Sequence, residues 1–349
     1  MFKSSRFSIT DVSVIIAIIT LSLISTLVLK SIQGSLYPTY FVFILLAFLT
    51  FFTFLKIDFE VLLAFSSHLY FISIILLVLP LIIGQVTRGA IRWIPVGSLT
   101  FQPSEIIRPF LLVFFAKYLT EKELNLGRLL RVTFFLLLPF SLILIQPSLG
   151  VAIITGFGFF GVLLASSINK KYIFLSLLLF SLLLPSFWFF LKPYQKERIS
   201  SFVNPARDPL GRGYNSIQST IAVGSGGLLG RGLGKGVQTQ LNFLPERHSD
   251  FIFASLAEEL GFVGCFIVLF GLFIICWSLL VIVQRAKSPA ARAYVIGAFF
   301  ILFIETFVHL GMNMGLLPIT GIPLPFVSAG GSALLGSMIS IAIAINAKS

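Results

Sequence analysis

Six ionisable side chains, Glu246, Arg247, His248, Asp250, Glu258 and Glu259, crowd the stretch LPERHSDFIFASLAEELG at residues 244–261, against the start of one of the most apolar runs in the chain. Carboxylates beside a histidine are the residue types of general acid–base chemistry. Asp250 is the sharpest candidate, since it follows a polar segment containing Pro245 and directly precedes Phe251, Ile252 and Phe253. A structural alternative exists: Ser249 or Asp250 as the N-cap of the next helix, worth about 0.5–2 kcal/mol. Capping alone does not ask for Glu246, Arg247 and His248 alongside. No Ser/His/Asp hydrolase motif, H-E-x-x-H helix or Cys/His cluster competes for a catalytic role. A free aspartate, with a pKa near ~3.9, is a weak base at neutral pH, so an apolar edge that disfavours its charged form would suit the task.

Three other groups of residues have candidate chemistry. The glycine-rich run from Gly224 to Gly236 invites a nucleotide reading, but the phosphate-loop spacing puts Leu229 where Gly is needed and Gly236 where Ser or Thr is needed. What remains is a flexible loop carrying Arg231 and Lys235. It suits a phosphate or pyrophosphate at a membrane surface, and equally a plain solvated linker. In RGAIRWIPVGSLTFQPSEIIRPF, residues 88–110, Arg92 and Trp93 read as interfacial anchors. Glu105 and Arg108, three apart at a helix start, read as an ion pair or as the wall of a polar cavity. Glu305 and His309 are spaced i and i+4 in an apolar run and are expected to pair with each other. Lys117 can snorkel from the end of its span.

The elements that must position these groups are membrane helices. The chain has 349 residues, is 57% hydrophobic and 11% charged, and has a mean hydropathy of +1.02, which excludes a soluble globule. An all-α polytopic bundle is expected, as one domain over 1–349. Apolar runs of about 20 residues give ten spans: 12–29, 39–55, 61–83, 104–119, 129–146, 149–168, 172–191, 255–283, 294–317 and 331–347. The first exceeds the ~7–15 residues of a cleavable signal core and is read as retained. Small residues at Gly330–Gly331–Ser332–Ala333 favour close packing of the last span. Cys265 and Cys276 lie on one helix, roughly 16 Å apart, and cannot bond each other. The net charge of +12 fits topology and anionic lipid headgroups, without nucleic acid.

Lys3, Arg6, Lys56, Lys117, Lys122, Arg128, Arg131, Lys170, Lys171, Arg285, Lys287, Arg292 and Lys348 fall on one side of this map, and Lys30, Arg88, Arg92 and Arg108 on the other. The first side is therefore cytoplasmic and holds both termini. Residues 192–250 lie outside as a large extracytoplasmic loop between helices 7 and 8. The loop is far longer than the ~12–15 residues at which an unstructured connection becomes unusual. Its middle, GYNSIQSTIAVGSGGLLGRGLGKG, reads as an interfacial amphipathic helix followed by a flexible loop. No internal repeat is visible.

The residues also resemble a family, the SEDS proteins (shape, elongation, division and sporulation), and within it the RodA-like branch. The resemblance is carried by GVQTQLNFLPERHSDFIFASLAEELGFVG (236–264), IRWIPVGSLTFQPSE (91–105), YQKERISSFVNPARDPLGRGYNSIQSTIAVGSGGLLGRG (194–232) and NMGLLPITGIPLPFVSAGGS (313–332), in order along the whole chain. The run QLNFLPERHSDFIF is closer to RodA than to the FtsW division branch. The resemblance implies a ten-span fold and a glycosyltransferase of the bacterial plasma membrane. Such an enzyme polymerises peptidoglycan strands from lipid II for cell-wall elongation and rod shape, with a class B penicillin-binding protein as partner transpeptidase. It puts Asp250 at the family's essential aspartate, and Trp93, Glu105 and Ser328 at other signature positions. Departures are Ser148 in QPSLG, where the family usually has aspartate, Ala329 for the usual tyrosine, and Arg108 for lysine.

The mechanism expected from these readings has Asp250 as general base on an acceptor hydroxyl. Arg212, Arg231 and Lys235 stabilise the leaving pyrophosphate, and Glu246, His248, Arg108, Glu105, Trp93 and Ser328 contribute to substrate binding. No cofactor is evident, and a divalent cation, Mg or Mn, is left open. The rival readings are a flippase of the same lipid-linked precursor and a noncatalytic scaffold for the transpeptidase.

Overall fold

The computed structural model describes residues 8–348 except 88–89, 98, 124–125, 167, 169–170, 172, 175–177, 179–181, 183–188, 190–192 and 212. Most of the seventh expected span falls outside the described residues. The described chain is mostly helical, and five helices are long and apolar enough to cross a bilayer: Ile9–Ile32, Gly34–Phe54, Ser66–Ile83, Ile252–Arg285 and Pro289–Asn313. Shorter apolar helices occupy Leu130–Ile145, Leu149–Ala165 and Gly331–Asn346. Continuous helices are the answer to a lipid solvent, because every backbone group then finds its partner within the segment.

Helix α1 (Ile9–Ile32) opens with a capping box, in which Ser8 Oγ accepts from Asp11 N and Asp11 Oδ2 accepts from Ser8 N at 2.8 Å. The same carboxylate is ion-paired with Lys348, so the two ends of the described chain meet. Helix α2 (Tyr37–Phe54) packs on the last helix, where a side chain added at Gly331 would strike the Phe43 ring at 2.3 Å. This is the close packing that the small residues there led one to expect. Helices α3 (Phe59–Ala64) and α4 (Ser66–Ile83) divide what reads as one span, at Phe65.

The all-α expectation needs one correction. Three segments, β1 (Gln85–Thr87), β2 (Ala90–Val96) and β3 (Leu99–Phe101), form an antiparallel sheet in the order β1-β2-β3. The run IRWIPV is rich in β-branched and aromatic residues, and Gly97, at φ +62°, supplies the backbone conformation that lets β2 turn back onto β3. Ile94 pairs with Phe101. The segment read as a plain interfacial anchor thus satisfies its own backbone.

The fourth expected span is two helices, α5 (Pro103–Ile106) and α6 (Arg108–Thr120). Pro109 has no N–H to give Glu105 O, and Arg108 Nε approaches that carbonyl instead, at 3.4 Å. Helices α7 (Leu126–Ile145) and α8 (Leu149–Ala165) follow. Beyond the undescribed residues come α9 (Pro193–Val203), α10 (Tyr214–Ser225) and the single turn α11 (Val237–Gln240). The bundle closes with α12 (Ile252–Arg285), α13 (Pro289–Asn313) and α14 (Gly331–Asn346). Helix α13 lies against α6, α8 and α12, with Gly158 and Gly161 of α8 allowing close approach to Ile301 and Gly297. Helix α12 packs along α1 and turns Phe262, Phe266, Phe270, Phe273 and Trp277 outward in a stacked row. Such a row belongs in hydrocarbon.

Candidate active site

Asp250 sits on a compact turn immediately before α12. Glu246, at φ +51°, lets the chain fold back, so that its carbonyl accepts from the N–H groups of Ser249, Asp250 and Phe251 at 3.1, 3.1 and 3.2 Å. The carbonyls of this turn are held from the segment joining α13 to α14. Ala329 N donates to His248 O at 2.9 Å, Ser328 Oγ to Ser249 O at 2.9 Å, and Asn313 Nδ2 to Asp250 O at 3.0 Å. Asn313 is fully buried, and its Oδ1 accepts from Ala254 N, one of the first-turn donors of α12 that no intrahelical carbonyl can reach. With its main chain fixed in this way, the half-buried carboxylate of Asp250 faces Gly321, where an added Cβ would stand 3.6 Å from Oδ2.

Glu246 and His248 belong to the same turn. His248 Nε2 lies 3.7 Å from Glu246 Oε2, which also accepts from Ser249 Oγ at 3.2 Å. Arg247 Nε donates to Ile32 O at the end of α1, at 3.0 Å, and partial burial lowers its pKa below the usual guanidinium value. Ser328 is buried, and its Oγ both donates to Ser249 O and accepts from Leu324 N at 2.7 Å. It ties the turn to the connection between α13 and α14.

The glycine-rich segment is docked, not the flexible loop expected from its composition. Helix α12 breaks at Gly261, whose φ of +65° and ψ of −163° are non-helical. The N–H groups freed there are taken by the loop: Phe262 N donates to Gly227 O at 2.9 Å and Val263 N to Leu228 O at 3.2 Å. In return Arg231 N donates to Glu258 O at 2.9 Å and Gly232 N to Glu259 O at 3.0 Å. The two buried carboxylates complete the dock. Glu258 accepts from Gln238 N and Thr239 N at 2.9 and 3.0 Å, capping α11, and Glu259 Oε1 accepts from Ser31 Oγ, Gly234 N and Gln240 Nε2 at 2.9, 3.1 and 3.0 Å. The side chains of Arg231 and Lys235 remain exposed. Arg212 lies outside the described residues.

Inside the bundle, Arg108 is ion-paired with both Glu105 and Glu305, and all three are buried. The expected Glu305–His309 pair does not form. His309 instead places Nδ1 at 2.7 Å from Ile322 O, because the connection between α13 and α14 runs back across its face and brings an unpaired carbonyl to the ring. Trp93 stands on β2 opposite Gln85 with the Arg92 guanidinium 5.9 Å from its ring. The sheet region joins the α14 entrance through Gln102 N, which donates to Ser332 Oγ at 2.8 Å. Ser148, at the start of α8, is buried two residues from Gly150, which packs on Thr320 and Ile322.

The structure therefore gathers Asp250, Glu246 and His248 into one turn, with Ser328 hydrogen-bonded to it from the α13–α14 connection, and puts Arg231 and Lys235 on a segment anchored to the same helix. Glu105, Arg108 and Trp93 belong to a separate, buried or sheet-borne group. Asn313, Glu258 and Glu259 are positioning residues that the sequence reading left without roles. Among the described residues no group of three or more His, Cys, Asp or Glu side chains is placed to hold a metal ion.

Fold and site together define a multi-pass helical membrane protein with a backbone-locked aspartate at one end of the bundle. The sequence profile of the FtsW/RodA/SpoVE family, described as cell cycle proteins, matches residues 5–349. The chain belongs to that family, the SEDS proteins. It is 41% identical over 287 residues to peptidoglycan glycosyltransferase MrdB of Escherichia coli (strain K12), covering 80% of this chain and 77% of that one. It is 35% identical over 303 residues to stage V sporulation protein E of Bacillus subtilis (strain 168), covering 84% and 81%. Among solved structures, a chain of a peptidoglycan synthase complex that coordinates polymerization and crosslinking superposes with a TM-score of 0.83, at 30% identity and 97% coverage of both chains. The rod shape determining protein RodA of Thermus thermophilus shares the fold, with a TM-score of 0.71 at 23% identity over 95% of this chain and 94% of that one.

Proposed function

We infer that this chain is a peptidoglycan glycosyltransferase that polymerises glycan strands from lipid II, acting from one membrane-spanning domain over 1–349. The 4-hydroxyl of an acceptor N-acetylglucosamine attacks C1 of the donor's N-acetylmuramic acid. A carboxylate oxygen of Asp250 takes the hydroxyl proton as the new C1–O bond forms, and the C1–O bond to undecaprenyl pyrophosphate breaks with its electron pair leaving on the pyrophosphate. General-base assistance of this kind is worth about 10²–10⁴-fold in rate. Arg231 and Lys235 meet the developing charge on the leaving group. No step is routed through a cation.

The observation that carries this reading is the fixing of one residue's main chain: Asp250 has its N–H and C=O engaged by fixed partners, and its half-buried carboxylate faces Gly321. Preorganisation of this sort is what a reacting group requires. The turn meets the Ile32 end of α1, whereas Lys348 meets Asp11 near the other end, about 32 Å away at ~1.5 Å per residue. This separation supports a topology with both termini in the cytoplasm and Asp250 on the outer face, on a ten-span fold with the 192–250 loop outside. A class B penicillin-binding protein is the partner, in keeping with the synthase complex that the chain resembles.

The test uses full-length protein with its cognate partner, labelled lipid II, and products sized on a gel, with and without EDTA. Asp250→Asn abolishes long glycan at normal expression. Undiminished polymer from that variant refutes the base assignment. Lipid translocation without polymer from the wild type supports the flippase, and an activity-free complex that still supports growth supports the scaffold.

A further inference from the structure

A cavity of about 330 Å³ opens between α9, the start of α10 and residues 317–319, walled by Glu197, Arg198, Phe202, Asn215, Ser216 and Leu317 to Ile319. Its floor is tied in place, since Arg198 Nη1 donates to Ile319 O at 3.1 Å and the Ile319 side chain packs on the cluster containing Phe251 and Ala254. Two residues past that floor, Gly321 faces the carboxylate of Asp250. Two extended residues span at most ~7 Å, so Ile319 in the cavity wall and Gly321 beside the aspartate lie within that reach of each other along the chain.

The lining discriminates among ligands. A hydrocarbon tail has no use for Glu197, Arg198 and Asn215, and a pyrophosphate would meet Glu197 beside the one arginine. A saccharide presents hydroxyls and an acetamide at its edge and C–H groups on its faces. The amide of Asn215, the hydroxyls of Ser201 and Ser216 and the Glu197–Arg198 pair of opposite charges match the first, and Phe202, Leu317 and Pro318 match the second. The volume falls at the small end of ligand sites, about 300–1,000 Å³, which fits a single ring and excludes a whole lipid-linked disaccharide pentapeptide.

We propose that this cavity is a subsite for one N-acetylated sugar ring of the glycan substrate, placing the neighbouring ring at Asp250. The proposal rests on the glycosyltransferase reading above. Loss of one good hydrogen bond or of a stacked ring weakens binding by about 5–10-fold.

The probe is N,N′-diacetylchitobiose, which carries neither lipid nor pyrophosphate, added to the full-length protein in nanodiscs and followed by saturation-transfer NMR of its acetamide methyls. Wild type and Asp250→Asn are expected to bind alike, and Phe202→Ala and Asn215→Ala to bind about 5–10-fold more weakly. In lipid II polymerisation with the partner, Asn215→Ala raises KM by a similar factor and leaves kcat within about twofold. Absence of saturation transfer in the wild type, equal binding by both cavity variants, or a loss confined to kcat overturns the subsite. Failure of the wild type to polymerise, with disaccharide binding intact and weakened by the cavity variants, overturns the activity reading and leaves the sugar site standing.

Discussion

Asn313 contacts Asp250, the proposed base, only through that residue's main-chain carbonyl, yet its replacement should be felt in polymerisation. Its Nδ2 donates to Asp250 O at 3.0 Å and His309 O at 2.8 Å, its Oδ1 accepts from Ala254 N at 3.0 Å, and its own carbonyl accepts from Ser219 Oγ at 2.8 Å. Asn313→Ala leaves the last of these and strands two buried groups at the α12 entrance, the Asp250 carbonyl and the Ala254 N–H. Each buried group without a partner costs about 1–3 kcal/mol, so the turn loses about 2–6 kcal/mol of restraint. If half of that restraint is expressed in the transition state, kcat falls about 5–150-fold. KM stays near the wild-type value, because the side chain does not face the substrate, and thermal stability drops as well. Asn313→Asp keeps the acceptor for Ala254 N but has no donor for Asp250 O, so its kcat falls at least as far while the helix start keeps its cap. The assay is steady-state polymerisation of labelled lipid II by full-length protein with its partner, alongside thermal unfolding in detergent. An Asn313→Ala protein that polymerises within twofold of wild type would refute the argument that main-chain anchoring sets the position of Asp250.

Glu258→Gln together with Glu259→Gln removes the charge from the hydrogen bonds that dock the glycine segment, and trypsin should then cut after Arg231 and Lys235 markedly faster in limited proteolysis. Arg108→Ala leaves two buried carboxylates facing each other, a loss of about 3–5 kcal/mol. Its yield and melting temperature should fall sharply, and part of both should return when Glu105→Gln and Glu305→Gln are added. Gly321→Ala imposes a side chain on a backbone at φ +72°, costing about 1–2 kcal/mol, and sets a methyl against the Asp250 carboxylate. Polymerisation should slow while expression, read by fluorescence-detected gel filtration, changes little.

The helices were legible in the sequence because lipid imposes one rule, about 20 apolar residues per crossing, and the helices at 9–32, 34–54 and 252–285 follow it. The interruptions were not. Gly261 lies in an apolar run where one glycine among many gives no sign of a break, and the sheet at 85–101 reads as an interfacial anchor because the same β-branched and aromatic residues serve both purposes. Asp250 was legible because a carboxylate at the edge of an apolar segment has an energetic cost that calls for a reason. Asn313 carries no such mark, since an uncharged amide at the end of a span is ordinary. Neither partner of His309 nor of Glu305 could be read: the true ones, Ile322 O and Arg108, are brought in by chain reversal and by packing between distant helices. Spacing along one helix, the only geometry a sequence displays directly, suggested the pair that does not form.

The hydrogen bonds around Asp250 fix the main chain that carries its carboxylate. Glu246 O, Ala329 N, Ser328 Oγ and Asn313 Nδ2 act on N–H and C=O groups of residues 248–251, and Gly321, the neighbour that Oδ2 faces, brings no side chain. The aspartate's location is thereby set by the ends of α12, α13 and α14, elements that the bilayer holds in fixed relation. The docked glycine segment extends the same logic to the cations, because Arg231 and Lys235 ride on a backbone bound to the first turns of α12 and are carried with Asp250 on one helix start.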